Sequence, residues 1–203
     1  ADGVVARNIN RKISTAISKR IARFPIRPNH VTLVVLLIGV AAGPFAATGT
    51  YVGFLLGGLC YYVSSILDGV DGELSRLKYY ASPLGAWLDT ITDDVVGLAY
   101  LSGTFWGLAK NPAQPFWGWL GVVIVALYVA SVVVRYYLFV TKIGVGDHQA
   151  LAVKTRPQNP TGLRKLLLVV FSDTLARIDF LTFAAFVSGL LAIVPIYIAA
   201  YSL

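Results

Sequence analysis

Long apolar runs alternate with short polar or basic connections along this chain, over residues 29–47, 51–67, 87–108, 116–140 and 174–203. Each run is near or above the roughly 20 residues that a spanning helix needs. The last is long enough for a complete helix from Thr174 to about Leu191 and the start of another, broken near Pro195. Ahead of the runs, Ile9, Ile13, Ile17, Ile21 and Phe24 recur at helical spacing, with Arg11, Lys12, Lys19 and Arg23 off that stripe. This is the pattern of an amphipathic helix lying on a membrane surface. The expected fold is all-α: a polytopic membrane protein of about six transmembrane helices, five complete and a sixth cut short. A cytoplasmic interfacial helix over residues 1–27 precedes one membrane domain over residues 28–203.

Composition supports the membrane reading. Only 13% of the 203 residues are charged and the mean hydropathy is +0.71, whereas soluble domains are roughly a quarter charged. The 17 Lys and Arg then set the topology. Seven precede the first run (Arg7, Arg11, Lys12, Lys19, Arg20, Arg23, Arg27), Arg76 and Lys78 follow the second, and Lys142, Lys154, Arg156, Arg164 and Lys165 follow the fourth. Lys110 alone lies between the third and fourth, so the excess of positive charge puts the N-terminus and the end of the second span on the cytoplasmic side of the cell membrane. Trp117 and Trp119 suit the opposite interfacial belt. The net charge of +7 is a topology signal first and an attraction for anionic lipid or phosphorylated substrates second. Nucleic acid is not an expected partner.

The flanking segments carry less chemistry. Arg20 falls within the apolar stripe, where it either snorkels to the headgroups or turns inward to an anionic ligand. Pro28 and Asn29 in "RPNHVT" end one element and begin the next, and His30, far from the other histidine, His148, reads as interfacial. The pairs Gly39 with Gly43 and Gly53 with Gly57 have the spacing that lets membrane helices approach closely. Residues 144–161 read as a polar cytoplasmic connection and residues 163–171 as a short second interfacial helix. A lone Cys60 builds neither a disulfide nor a thiolate metal site. The absence of Met, with Ala1 first, suggests a piece of a longer polypeptide whose N-terminal partner domain is missing.

Chemistry concentrates in "LDGVDGELSRLKYYASPLGAWLDTITDD", residues 67–94. With the second span continued as a helix, Asp68, Asp71, Gly72, Ser75 and Arg76 share one face, and Glu73 points elsewhere. In the third span Gly85, Asp89 and Asp93 step by four into a second stripe. A short connection makes the two helices antiparallel neighbours, so the stripes can face each other. Ionised carboxylates at membrane depth are each unfavourable by about 2.5–3.5 kcal/mol before their mutual repulsion is added. Arg76 supplies one compensating charge, so one or two divalent cations complete the balance. All-oxygen ligation selects hard ions such as Mg²⁺, Mn²⁺ or Ca²⁺. The bland alternative is that the aspartates line a vestibule or pair with nearby Lys and Arg. A soluble calcium loop is excluded, since "DGVDGELSRLKY" lacks the alternating ligands and the final Glu.

The series Asp68-x2-Asp71-Gly72-x2-Ser75-Arg76-x8-Gly85-x3-Asp89-x3-Asp93 resembles the signature of the CDP-alcohol phosphotransferases, matching seven of its eight fixed positions. Ser75 stands where that signature has Ala, one small residue for another. The resemblance implies an intramembrane transferase that moves the phosphoalcohol group of a CDP-alcohol to an acceptor hydroxyl and releases CMP. It implies that Asp68, Asp71, Asp89 and Asp93 hold two Mg²⁺ or Mn²⁺ ions, with Asp93 also the general base. Gly72, Ser75 and Gly85 would border the cytidine and ribose, Arg76 would meet the diphosphate, and the enzyme would be a homodimer. Asp94 lies outside the signature, either as a partner behind the ligands or as a subfamily feature.

Arg135, near the end of the fourth span, and Arg177 with Asp179, at the start of the fifth, are candidates to bind a phosphate on the acceptor. Snorkelling or an Arg to Asp pair is the competing account of each. The phrasing "SSILDGVDGELSR" and the basic N-terminal helix are similar to membrane domains fused behind a soluble cytidylyltransferase, among them the di-myo-inositol-phosphate-phosphate synthases. The acceptor expected is then an inositol phosphate, a glycerol phosphate or a lipid alcohol. Two other classes compete. An intramembrane prenyltransferase would place its two aspartate motifs about half a longer chain apart. A divalent-cation transporter would hold its ligands at mid-membrane on broken helices, where Arg76 would oppose cation passage.

Overall fold

The architecture was established from a computed structural model that describes residues 9–78, 82–110, 115–143 and 186–187. All regular structure there is helical: α1 (Arg11–Ile21), α2 (Pro28–Ala47), α3 (Tyr51–Leu77), α4 (Pro83–Ala109) and α5 (Phe116–Leu138), which runs into a π-helical turn over Phe139–Ile143. Local chemistry marks the starts. Pro28 and Pro83 open α2 and α4, where a missing N–H is harmless. Thr50 and Ser82 cap α3 and α4 by accepting from the N–H of Gly53 and Gly85 at 3.1 and 3.0 Å. Gly49 makes the tight turn between α2 and α3 at a φ of 72°, a conformation that favours glycine.

Helices α2, α3 and α5 continued to Thr141 are long and apolar enough to cross a membrane. Helix α4 has 27 residues and the length to do so, but carries Asp89, Asp93 and Asp94. The expected spans over 174–203, the connection over 144–161 and the helix over 163–171 lie outside the described residues, apart from Phe186 and Val187; the ring of Phe186 stacks on Tyr62 of α3 at 5.6 Å. Helix α5 exposes Val122, Leu127 and Val133, and the π-helical turn after it exposes Val140, a surface suited to lipid.

The second and third spans, expected as neighbours, meet over a small area that includes the facing carboxylates, and α2 packs extensively against both. Small residues decide this. A Cβ on Gly43 would stand 2.6 Å from the carbonyl of Ala99 in α4, and one on Gly57 of α3 would stand 2.9 Å from the carbonyl of Ala42. Only bare backbone lets α2 come so close to both. Val31 and Val35 of α2 bury with Val70 and Leu74 of α3 at one end, while Ala46, Phe54 and Leu108 bury together at the other. Gly53 likewise meets the end of α2, where a Cβ would lie 2.5 Å from the carbonyl of Phe45.

Helix α1 uses a different face from its isoleucine stripe to meet α3. Asn10, Ser14 and Ser18 are buried, whereas Ile9 and Ile13 are exposed; Ile17 and Ile21 pack against the Val31–Leu74 cluster. The short polar side chains allow close approach at Gly69, where a Cβ would meet Ser14 Cβ at 3.4 Å. They also bond across the contact. Ser14 and Thr15 donate to Glu73 Oε1 at 2.9 and 3.1 Å, and Tyr62 donates to Asn10 Oδ1 at 2.9 Å. Lys78 ties down the α1–α2 connection through the carbonyls of Phe24 and Ile26 at 2.7 and 2.9 Å. Arg20 is exposed.

Candidate metal centre

The last turns of α3 and the first turns of α4 bring carboxylates together. Asp68, Asp71 and Asp89 each offer an oxygen within 4.8 Å of the others. Asp71 is buried and Asp68 and Asp89 are half-buried. Asp93, one turn further along α4, lies outside this group of three but close enough to interact electrostatically with Asp68, Asp71 and Asp89. The 3.6-residue period of each helix thus puts all four charges into the space between α3 and α4.

Two features of this cluster fit a hard divalent cation. Asp68 Oδ1 is buried and receives no hydrogen bond from the described residues, a costly state for a carboxylate oxygen unless a cation meets it. Thr32 of α2 donates its hydroxyl to Asp71 Oδ2 at 2.6 Å, a shorter contact than the 3.3 Å to its own Pro28 carbonyl. A donor of this kind fixes a ligating carboxylate in place. Sequence patterns did not single out Thr32, which lies 39 positions from Asp71 on a different helix.

The remaining predicted residues take these positions. A Cβ built on Gly72 would meet nothing nearer than Arg76 Nη2 at 3.8 Å, and one on Gly85 nothing but Ser82 Oγ at 3.3 Å. Among the described residues both glycines therefore lack a packed neighbour from another helix, unlike the packed glycines of α2. Ser75 sits one turn from Gly72 and donates to its carbonyl at 2.9 Å, and Arg76 is exposed in the last turn of α3. Arg177 and Asp179 lie outside the described residues. Arg135 projects from α5 onto Asp94, its Nη2 donating to Asp94 Oδ1 at 2.6 Å, which gives the unassigned aspartate a partner.

Comparison with known proteins agrees with this constellation. The family model for CDP-alcohol phosphatidyltransferase matches residues 26–194. The chain belongs to the CDP-alcohol phosphatidyltransferase family. Like other CDP-alcohol phosphatidyltransferases it is a membrane protein, and its site offers carboxylates that could hold a metal. Among its relatives is the "Bifunctional IPC transferase and DIPP synthase" of Aquifex aeolicus, 38% identical over 135 residues, which are 66% of this chain and 29% of that protein. The protein of the same name from Thermococcus kodakarensis is 37% identical over 135 residues, with the same coverage. The "Phosphatidylinositol phosphate synthase" of Mycobacteroides abscessus is 28% identical over 138 residues, 66% of this chain and 59% of that one. The chain thus spans less than a third of the length of the bifunctional relatives.

Proposed function

We propose that this chain transfers the phosphoalcohol group of a CDP-alcohol to an acceptor hydroxyl with release of CMP, and that Asp68, Asp71, Asp89 and Asp93 hold two divalent cations, Mg²⁺ or Mn²⁺, for that reaction. The observation that carries the proposal is the convergence of the Asp68, Asp71 and Asp89 carboxylates, with Asp68 Oδ1 buried and without a hydrogen-bond donor among the described residues. Bound there, the cations would neutralise the diphosphate and the departing CMP. Thr32 holds Asp71 in register for them. Gly72, Ser75 and Gly85 give the nucleotide room against the two helices, and Arg76 reaches the diphosphate from the end of α3. Asp93 takes the proton of the acceptor hydroxyl as its oxygen bonds to the phosphorus on the alcohol side of the diphosphate. The bond from that phosphorus to the bridging oxygen breaks, and CMP leaves.

The relatives' names point to an inositol phosphate as the acceptor class, and Arg177 is our candidate for its phosphate. We place the site on the cytoplasmic side, because the basic residues flank the ends of α1 and α3. The bifunctional relatives support a linked cytidylyltransferase as the source of the donor. The test is CMP release by purified protein with CDP-alcohol donors and Mg²⁺ or Mn²⁺, across lipid, inositol phosphate and glycerol phosphate acceptors. Metal-dependent CMP release that chelation abolishes is expected. No CMP with any pair, together with metal flux in liposomes, would replace the enzyme with a cation transporter.

A further inference from the structure

One charged pair beside the site is left without a task by the transfer reaction. Asp94 follows Asp93 on α4, and its side chain is 9% exposed where it meets Arg135 of α5 at 2.6 Å. The Tyr128 hydroxyl, also from α5, approaches the Asp94 carbonyl at 3.3 Å and would sit 2.6 Å from a Cβ on Gly97. Nearer the start of α4, Trp87 packs against Tyr136 and Phe139 at 5.6 and 5.9 Å between ring centres. Helix α5 therefore grips α4 above and below Asp93 and on the flank that Asp94 occupies. Among the described residues Asp94 Oδ2 and Arg135 Nε are buried without hydrogen bonds, while Tyr136 and Tyr128 of α5 stand within side-chain hydrogen-bonding reach of Asp94 and Arg135.

We propose that Asp94 and Arg135 form a positioning pair that sets the rotation of α4 and thereby aims Asp93 at the reacting hydroxyl. This rests on the proposed role of Asp93 and gives Arg135 a task other than binding acceptor phosphate. Adjacent residues on a helix point 100° apart, so a contact at Asp94 constrains the azimuth of Asp93 without touching it. A carboxylate rides about 6 Å from the helix axis, so a 10° turn of α4 displaces it by about 1 Å. A misplacement of about 1 Å lowers a rate by about 100-fold.

The variants are Arg135→Met, Arg135→Lys, Asp94→Asn and the double variant Asp94→Asn/Arg135→Met, each carried through CMP release, acceptor titration and Mn²⁺ binding by electron paramagnetic resonance on the purified protein. Single variants are expected to lower kcat by about 10- to 100-fold, with the acceptor KM changed less than about twofold and Mn²⁺ still bound. The double variant should be no worse than the worse single one, since both remove the same contact. Arg135→Lys should recover part of kcat, and it decides the matter with Asp94→Asn if Arg135→Met fails to fold. An acceptor KM raised tenfold or more at unchanged kcat would assign Arg135 to the acceptor instead. Unchanged kcat in folded single variants would leave the pair a packing feature and sink the proposal. Loss of CMP release from wild-type protein under all conditions would overturn the transferase reading itself, and is separable because Mn²⁺ binding is read without turnover.

Discussion

Replacing glycine with alanine should have opposite effects on stability at Gly103 and Gly72, although both sit inside helices. At Gly103 an added Cβ would lie 2.7 Å from the carbonyl carbon and Cα of Gly43 in α2, about 0.7 Å short of ordinary van der Waals contact at 3.4 Å. These are backbone atoms, so no side chain can swing aside, and α2 and α4 must separate. Such overpacking is unfavourable by about 1–3 kcal/mol, against about 0.5–1 kcal/mol gained because Ala suits a helix better than Gly. The net runs from about zero to a loss of about 2.5 kcal/mol, and because the clash is with backbone Gly103→Ala falls on the side of loss. At Gly72 the nearest atom outside its own helix backbone, among the described residues, is the tip of Arg76 at 3.8 Å, so only the helix preference remains and stability should rise by about 0.5–1 kcal/mol. Yet Gly72→Ala should lower CMP release, because the methyl group enters space that we assign to the nucleotide. Unfolding of the purified protein in detergent, followed by circular dichroism, gives the stabilities. If Gly103→Ala is as stable as wild type, or Gly72→Ala loses as much as Gly103→Ala, the distinction between packed and ligand-facing glycines is wrong.

Three further outcomes are expected. Asp93→Asn should suppress turnover while largely sparing CDP-alcohol binding by calorimetry; full activity would remove it as general base. Thr32→Val should weaken Mn²⁺ binding about 10- to 100-fold and Thr32→Ser should restore it, whereas equal affinities would show that Asp71 needs no orienting donor. Glu73→Ala removes the acceptor of Ser14 and Thr15 and the anion 3.8 Å from Arg11. Hydrogen exchange in α1 should then accelerate, and unchanged protection there would mean that apolar packing alone holds α1.

Much of the centre was legible because its residues are close in sequence. Asp68 and Asp71 lie on one helix and Asp89 and Asp93 on another, so the period of 3.6 residues sufficed to put each pair on one face. Glu73 was correctly left off that face; what it does there, gripping α1, required knowing where α1 lies. The serines of α1 were passed over for a related reason. A stripe of isoleucines signals an apolar surface, but it does not say whether protein or lipid covers that surface. In the fold part of the stripe is left exposed, and small hydroxyl side chains make the close contact with α3.

The sequence by itself determined that the chain is helical and membrane-embedded, that α2 begins at Pro28, and which carboxylates can act together, because these follow from local periodicity, the proline and hydropathy. Tertiary structure decided the rest. The glycines of α2 are a packing signal in any sequence, but that they bind α2 between α3 and α4 depends on which backbones meet. Likewise Thr32 reaches Asp71 across 39 residues and Arg135 reaches Asp94 across 41. Such contacts have no period to reveal them, since they form when whole helices pack and not when any one of them coils.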